Sequence, residues 1–179
     1  MFIKILTKPY KKIKKILQEE IFDLNLIKQS QIHTLPEKIF LKRFFAAYKI
    51  DCIFDVGASN GQYASMLRKY AGYQGRIISF EPIPAAAEKI RALCVDDPLW
   101  TVEQIALDDS GGTAEFKIMV SDQFSSLGTP THKENDSYID FNKPAETITV
   151  KKETLEEAYK RLQSQYKFQK PFLKMDTLN

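Results

Sequence analysis

An α/β fold built on a parallel sheet is predicted by three features of the sequence. Two short apolar runs, "CIFDVG" at residues 52–57 and "GRIISFEP" at 75–82, end abruptly at Gly or Pro, which suits buried strands better than helices. Behind each comes a stretch with the three- and four-residue spacing of an amphipathic helix. The joints are short. Strand, helix, strand, helix, strand in that rhythm requires parallel pairing through helical crossovers, the doubly wound arrangement.

Ahead of the first strand, Leu6, Tyr10, Ile13, Leu17, Ile21 and Leu24 recur at steps of three and four, with Lys8, Lys11, Lys12, Lys14 and Lys15 between them. The pattern predicts a basic amphipathic helix, and three roles for it stay open: peripheral contact with a membrane surface, docking on a partner, or packing on its own domain. Pro36 favours the first turn of a second helix through "EKIFLKRFFAAYK" at 37–49. After the first strand, Tyr63, Met66, Leu67 and Tyr70 fall at i, i+3, i+4 and i+7 and predict a helix. The second strand, Arg76–Phe80, is closed by Pro82, and Pro84 opens a helix through "AAAEKIRALC". "WTVEQIAL" at 100–107 reads as a third strand. Past the "DDSGG" turn, "TAEFKIMV" alternates Phe116, Ile118 and Val120 as a half-exposed strand would. Residues 121–143 are polar and aperiodic, a loop of functional length, and "ETITV" at 146–150 is a short strand. Thr154 and Glu157 form a capping-box pair opening a helix to about residue 165, and "FLKMD" at 172–176 is the last strand. There is no internal repeat.

With 179 residues, 44% of them hydrophobic, the chain fits one domain with a real core, and wholesale disorder is excluded. Cys52 and Cys94 lie in apolar runs rather than a CxxC pair, which predicts reduced, buried thiols and a cytoplasmic protein. His33 and His132 have no ligand partners at metal spacing, so no metal is expected. Residues 1–50 carry 11 Lys/Arg against 4 Asp/Glu, leaving 15 against 19 elsewhere. The basic excess is thus local and lacks interleaved aromatics on one face, so no nucleic-acid partner is expected. No run reaches the ~18 apolar residues of a membrane span, and the start lacks the pattern of a signal peptide.

The chemistry centres on "DVGASNG" at 55–61. A strand that feeds a helix through a glycine turn presents backbone N–H groups and the positive helix end at the carboxyl edge of the sheet, which places a ligand over Gly57 to Gly61. The spacing is not the GxGxxG of dinucleotide binders. Asp55, two residues before the first glycine, would repel a pyrophosphate and attract a cation or amine. Glu81 ends the next strand twenty residues past Gly61, where a carboxylate accepts both ribose hydroxyls. An amine, a sulfonium, a ribose and no phosphate describe S-adenosylmethionine. A glycine turn of this kind also serves packing alone.

The blocks "IDCIFDVGASNGQYASMLRKY", "GRIISFEPIP", "EQIALDDSGGTAEF", "SSL", "KKETLEE" and "FLKMD", in that order and spacing, resemble FkbM-family methyltransferases over residues 51–176. The resemblance implies a class I methyltransferase (Rossmann-like) fold, S-adenosylmethionine as cofactor, and methyl transfer to a hydroxyl of a glycan or small natural product. It implies that Asp55, Gly57, Ala58, Asn60 and Gly61 form the first cofactor motif and that Glu81 is the ribose-binding acid. Ile105 and Ala106, at the end of the third strand, would flank the adenine, with Asp108 a candidate for the missing acidic neighbour. Asp176 takes the position facing the transferred methyl, where a carboxylate accepts the hydroxyl proton or, alternatively, simply caps a following helix. Ser125 and Ser126 are candidates to meet the acceptor.

The resemblance also implies a helix and three more strands beyond the last one here. The expected division is a basic amphipathic helical extension over 1–50 and an FkbM-type methyltransferase domain over 51–179 that is incomplete at its C-terminus, with the N-terminal cofactor half only. Three readings follow: an O-methyltransferase completed by a second chain or a homo-oligomer, an inactive remnant that at most binds the cofactor, and a Rossmann-type NAD-dependent oxidoreductase, which the glycine spacing does not fit.

Overall fold

The computed structural model describes residues 35–119 and 144–176. The helix expected over residues 6–24, both histidines, the 121–143 loop and Ser125 and Ser126 lie outside the described residues. Among the described residues, no helix is long and apolar enough to cross a membrane. They fall into two compact units.

The first unit holds helix α1 (Leu35–Tyr48) and residues 66–74. The helix expected from Pro36 onward is therefore present, and it stops where Lys49 turns left-handed at φ 53°. Phe40, Phe44 and Tyr48 sit one turn apart, so their rings stack along one stripe at 5.7 and 4.6 Å. The neighbouring face is turned inward: Phe45 is buried with its ring 5.3 Å from that of Tyr73, and the Lys38 ammonium lies 4.3 Å over the Tyr70 ring.

The second unit carries the expected parallel sheet. Strands β1 (Cys52–Val56), β2 (Arg76–Phe80), β3 (Trp100–Glu103) and β7 (Pro171–Met175) lie in the order β3-β2-β1-β7, every pairing parallel. Helices α2 (Gln62–Lys69), α3 (Pro84–Leu93) and α4 (Leu155–Tyr166) supply the connections, α3 with proline in its first turn. All five residues of β1 are buried, as a strand paired on both edges and covered on both faces should be. Alternation then sorts its side chains. Cys52, Phe54 and Val56 join Ile78 and Phe80 in a core closed by Ala158 and Leu162 of α4 and by Phe168. Phe54 packs its ring 5.3 Å from Phe80 and 5.4 Å from Phe168. Ile53 and Asp55 point to the other face.

Two expectations are corrected. "WTVEQIAL" is not one strand: β3 stops at Glu103, and Ala106–Asp108 (β4) leaves to pair with β6 (Pro144–Thr154). Arg161 of α4 marks the break by gripping Glu103 at 2.9 Å and Glu153 at 2.7 Å. Here β4, β6 and β5 (Gly112–Met119) form a second sheet, with β5 antiparallel to β6 and a core of Ala106, Phe116 and Val150. Three-residue β4 carries no pattern that says which sheet it joins. The second correction concerns the thiols: Cys52 is buried and burial pushes it up to about 12, but Cys94, just past α3, is partly exposed. The expectation that both thiols are buried therefore fails for Cys94.

The expected capping box is present at α4. Glu157 N–H donates to Thr154 Oγ1 at 3.2 Å, and Thr154 N–H donates to Glu157 Oε2 at 2.9 Å. At the other end Lys167 turns left-handed at φ 59° and returns its N–H to Gln163 O. Asp51 then ties the chain down: its carboxylate accepts from Gln169 N and Lys170 N, both at 2.8 Å, and so fixes β7 beside β1.

Two stability tests follow from these local features. Thr154→Ala is expected to lower unfolding free energy by about 1 kcal/mol, read by urea denaturation. Gly61→Ala is expected to lower it by about 2 kcal/mol, because the position needs φ +73° and an added Cβ would stand 3.2 Å from Leu93 Cδ1 and 3.3 Å from both Ile90 Cγ1 and Trp100 Cζ2.

Candidate functional site

The order β3-β2-β1-β7 reverses direction of growth at β1, whose two neighbours lead away on opposite sides. In an open α/β sheet this switch point leaves a crevice at the carboxyl ends of the strands, where ligands bind. Val56 ends β1 there, and the turn to α2 follows with Gly57 at φ 71°, Ser59 at 49° and Gly61 at 73°.

Four of the turn's backbone donors are occupied by the protein itself. Gly57 N–H and Ala58 N–H both donate to Phe80 O at 3.1 Å, and Gly61 N–H donates to Ala58 O at 2.8 Å. Ser59 N–H donates to Glu81 Oε2 at 2.7 Å. The other carboxylate oxygen of Glu81 accepts from Ile83 N–H at 3.0 Å, and Glu81 N–H reaches Glu103 O. Glu81, nearly buried, is thus a brace that holds the glycine turn to the end of β2. With these N–H groups already engaged, the turn is not the open anion cradle of a phosphate loop.

Asp55 is 0% exposed. Its register neighbours are Ser79 on β2 and Lys174 on β7. Ser79 Oγ accepts from Trp100 Nε1 at 3.0 Å, so that side is closed. On the other, Lys174 Nζ stands 3.1 Å from Asp55 Oδ1, yet neither carboxylate oxygen receives an aligned hydrogen bond. Burial holds the Asp55 carboxyl above the ordinary carboxylate range, and the Lys174 charge pulls it part of the way back. A buried carboxylate with lone pairs to spare is suited to a cationic group.

The remaining expected site residues are placed as follows. Ala58 is buried in the turn, and Asn60 Oδ1 accepts from Lys89 Nζ of α3 at 3.1 Å. Ile105 and Ala106 do not end the third strand. Ile105 lies in the link after β3, packed on the core beneath α4, and Ala106 opens β4 in the second core. Asp108 is engaged by Lys152 Nζ at 2.8 Å, which holds its carboxyl low, chiefly through that hydrogen bond. Asp176 follows β7 directly; its N–H donates to Val56 O at 3.0 Å and its carboxylate is 83% exposed. The crevice therefore brings Asp55, Gly57, Glu81 and Asp176 to one edge.

Sequence reasoning passed over Lys174 and Tyr63. The Lys174 ammonium lies 5.4 Å from the centre of the Tyr63 ring and donates to Gly57 O at 3.4 Å. The available signal was a lysine inside the apolar run "PFLKM", two residues before an aspartate.

A family profile described as the methyltransferase FkbM domain matches residues 55–177, more than half of the chain. No curated protein and no solved structure matches it.

Glu81→Ala removes the acceptor of two backbone N–H groups. It is expected to lower the stability of the ligand-free chain by about 2 kcal/mol in urea denaturation, whereas a carboxylate that served a ligand alone would leave that stability unchanged.

Proposed function

The chain belongs to the FkbM methyltransferase family, and from that premise we propose that it is an S-adenosylmethionine-dependent O-methyltransferase whose acceptor is a hydroxyl of a glycan or small natural product. The observation that carries the cofactor reading is the pairing of a buried Asp55 short of donors with a glycine turn whose N–H groups are taken up by Phe80 O, Ala58 O and Glu81. Such an edge suits a ligand with an amine and no phosphate. The same feature makes the turn a poorer cradle for the pyrophosphate of a dinucleotide, which draws on free N–H groups of the glycine turn as well as of the helix start.

In this reading Asp55 takes the amine and Gly57 allows close backbone approach to the ligand. Glu81, which braces the turn, is the acid at the end of β2 that would meet the ribose hydroxyls. The cofactor, when bound, supplies an electrophilic methyl. What the chain must add is alignment of an acceptor oxygen and removal of its proton. Asp176 is suited to that task, because its backbone is anchored to Val56 O while its carboxylate projects into solvent at the same edge.

The test is isothermal titration of the chain with S-adenosylhomocysteine and, separately, with NAD. The homocysteine compound is expected to bind and NAD to give no heat, and Asp55→Asn is expected to weaken the former tenfold or more. Binding of NAD would favour the oxidoreductase reading. No binding of either by the folded chain would favour a protein without turnover.

A further inference from the structure

Asp55 is fully buried, and the cation facing it comes from the chain itself. The parallel register that sets Asp55 opposite Lys174 puts the ammonium at the crevice, 3.1 Å from Asp55 Oδ1, 3.4 Å from Gly57 O and 3.7 Å from Asp176 Oδ2. Because no aligned hydrogen bond reaches either Asp55 oxygen, the ammonium is held there by charge rather than by a directed bond. Its side chain is 19% exposed, on a flexible four-carbon stem. A second carboxylate is already within ion-pair distance.

We propose that Lys174 is an internal stand-in for the ligand's ammonium: it covers Asp55 in the free chain and gives way, toward Asp176, when an amine-bearing cofactor arrives. The proposal rests on the cofactor reading above. The exchange keeps both acids of the chain paired. Asp55, Lys174 and Asp176 together leave one carboxylate in excess, which an incoming ammonium neutralises, so Asp55 and Asp176 each end with a cation. Lys174 thereby acts as a positioning residue for two acids: it opposes the effect of burial on Asp55 before binding and stands beside Asp176 after it.

The other groups around Asp55 do not substitute for it. On β2 the neighbour is the uncharged Ser79, tied to Trp100. Past β2, Glu81 is fastened to Ser59 and Ile83. From α2, Tyr63 presents its ring to Lys174, and beyond β7 the charged group is Asp176, which disfavours ionisation of Asp55. Burial is the largest influence raising the Asp55 carboxyl, and Lys174 is what opposes it. Without Lys174, Asp55 takes up a proton as pH falls and can no longer pair with an amine.

The experiment compares the native chain, Lys174→Met and Lys174→Arg by calorimetry from about pH 6 to about pH 8.5, with two probes. S-Adenosylhomocysteine carries the amine; 5′-methylthioadenosine lacks it. For the native chain, affinity for the first probe is expected to stay within about twofold across the range. The Lys174→Met variant is expected to lose affinity toward tenfold per pH unit as pH falls below the Asp55 pKa, with the second probe indifferent to pH. In the Lys174→Arg variant the guanidinium fork pairs with Asp55 more firmly, so the first probe is expected to bind severalfold more weakly at every pH while the second is unchanged. Should Lys174→Met prevent folding, Lys174→Arg decides the matter. A pH profile in a folded Lys174→Met variant parallel to the native one, or a Lys174→Arg variant that treats both probes as the native chain does, overturns the proposal. A native chain that binds neither probe overturns the cofactor reading itself.

Discussion

The pairing of β1 with β7 is the constraint on which the site depends. It sets Asp55 opposite Lys174, carries Asp176 to the end of β1, where its N–H meets Val56 O, and completes the switch point at which the crevice opens. Asp51 holds the register from the far end by accepting the N–H groups of Gln169 and Lys170. A one-residue slip of β7 would turn Lys174 to the opposite face, into the layer of Phe54 and α4, and leave Asp55 buried without a cation. That loss is severe, since an unpaired buried charge costs several kcal/mol.

A second dependence runs through the glycine turn. Its conformation is fixed from outside by the end of β2, with Phe80 O and the Glu81 carboxylate receiving three of its N–H groups. Gly61 is required from a third direction, because Ile90, Leu93 and Trp100 close over it. The turn therefore has one shape before any ligand arrives. Preorganisation of this kind lowers the entropy lost in ordering the loop on binding. It also changes the role of Glu81, which supports the fold as well as facing the crevice.

Much of this was legible in sequence because the signals are local. Strands β1, β2 and β7 announce themselves as apolar runs cut off by Gly, Pro or Asp, and the Thr154–Glu157 capping box is a four-residue pattern. The glycine turn is equally local, and Asp55 and Glu81 follow from strand ends. Where reading failed, the deciding contact was distant. The run "WTVEQIAL" looks continuous, yet its second half pairs with a strand some forty-five residues on, with Ala106 against Lys152. Cys94 belongs to an apolar helix by sequence but sits past its last turn, near the surface.

Residue order alone specifies the alternation of strands and helices and the parallel sense of the main sheet, because these rest on short-range periodicity and spacing, and its sequence blocks carry the resemblance to its family. Long-range contacts were needed to establish that Lys174 faces Asp55, that Glu81 commits both oxygens to the glycine turn and its flank, and that β4 leaves for a second sheet. Those facts depend on strand register and on pairs separated by as many as 119 positions along the chain. Local pattern carries no information about which distant partner faces a buried acid, and closing the fold supplies it.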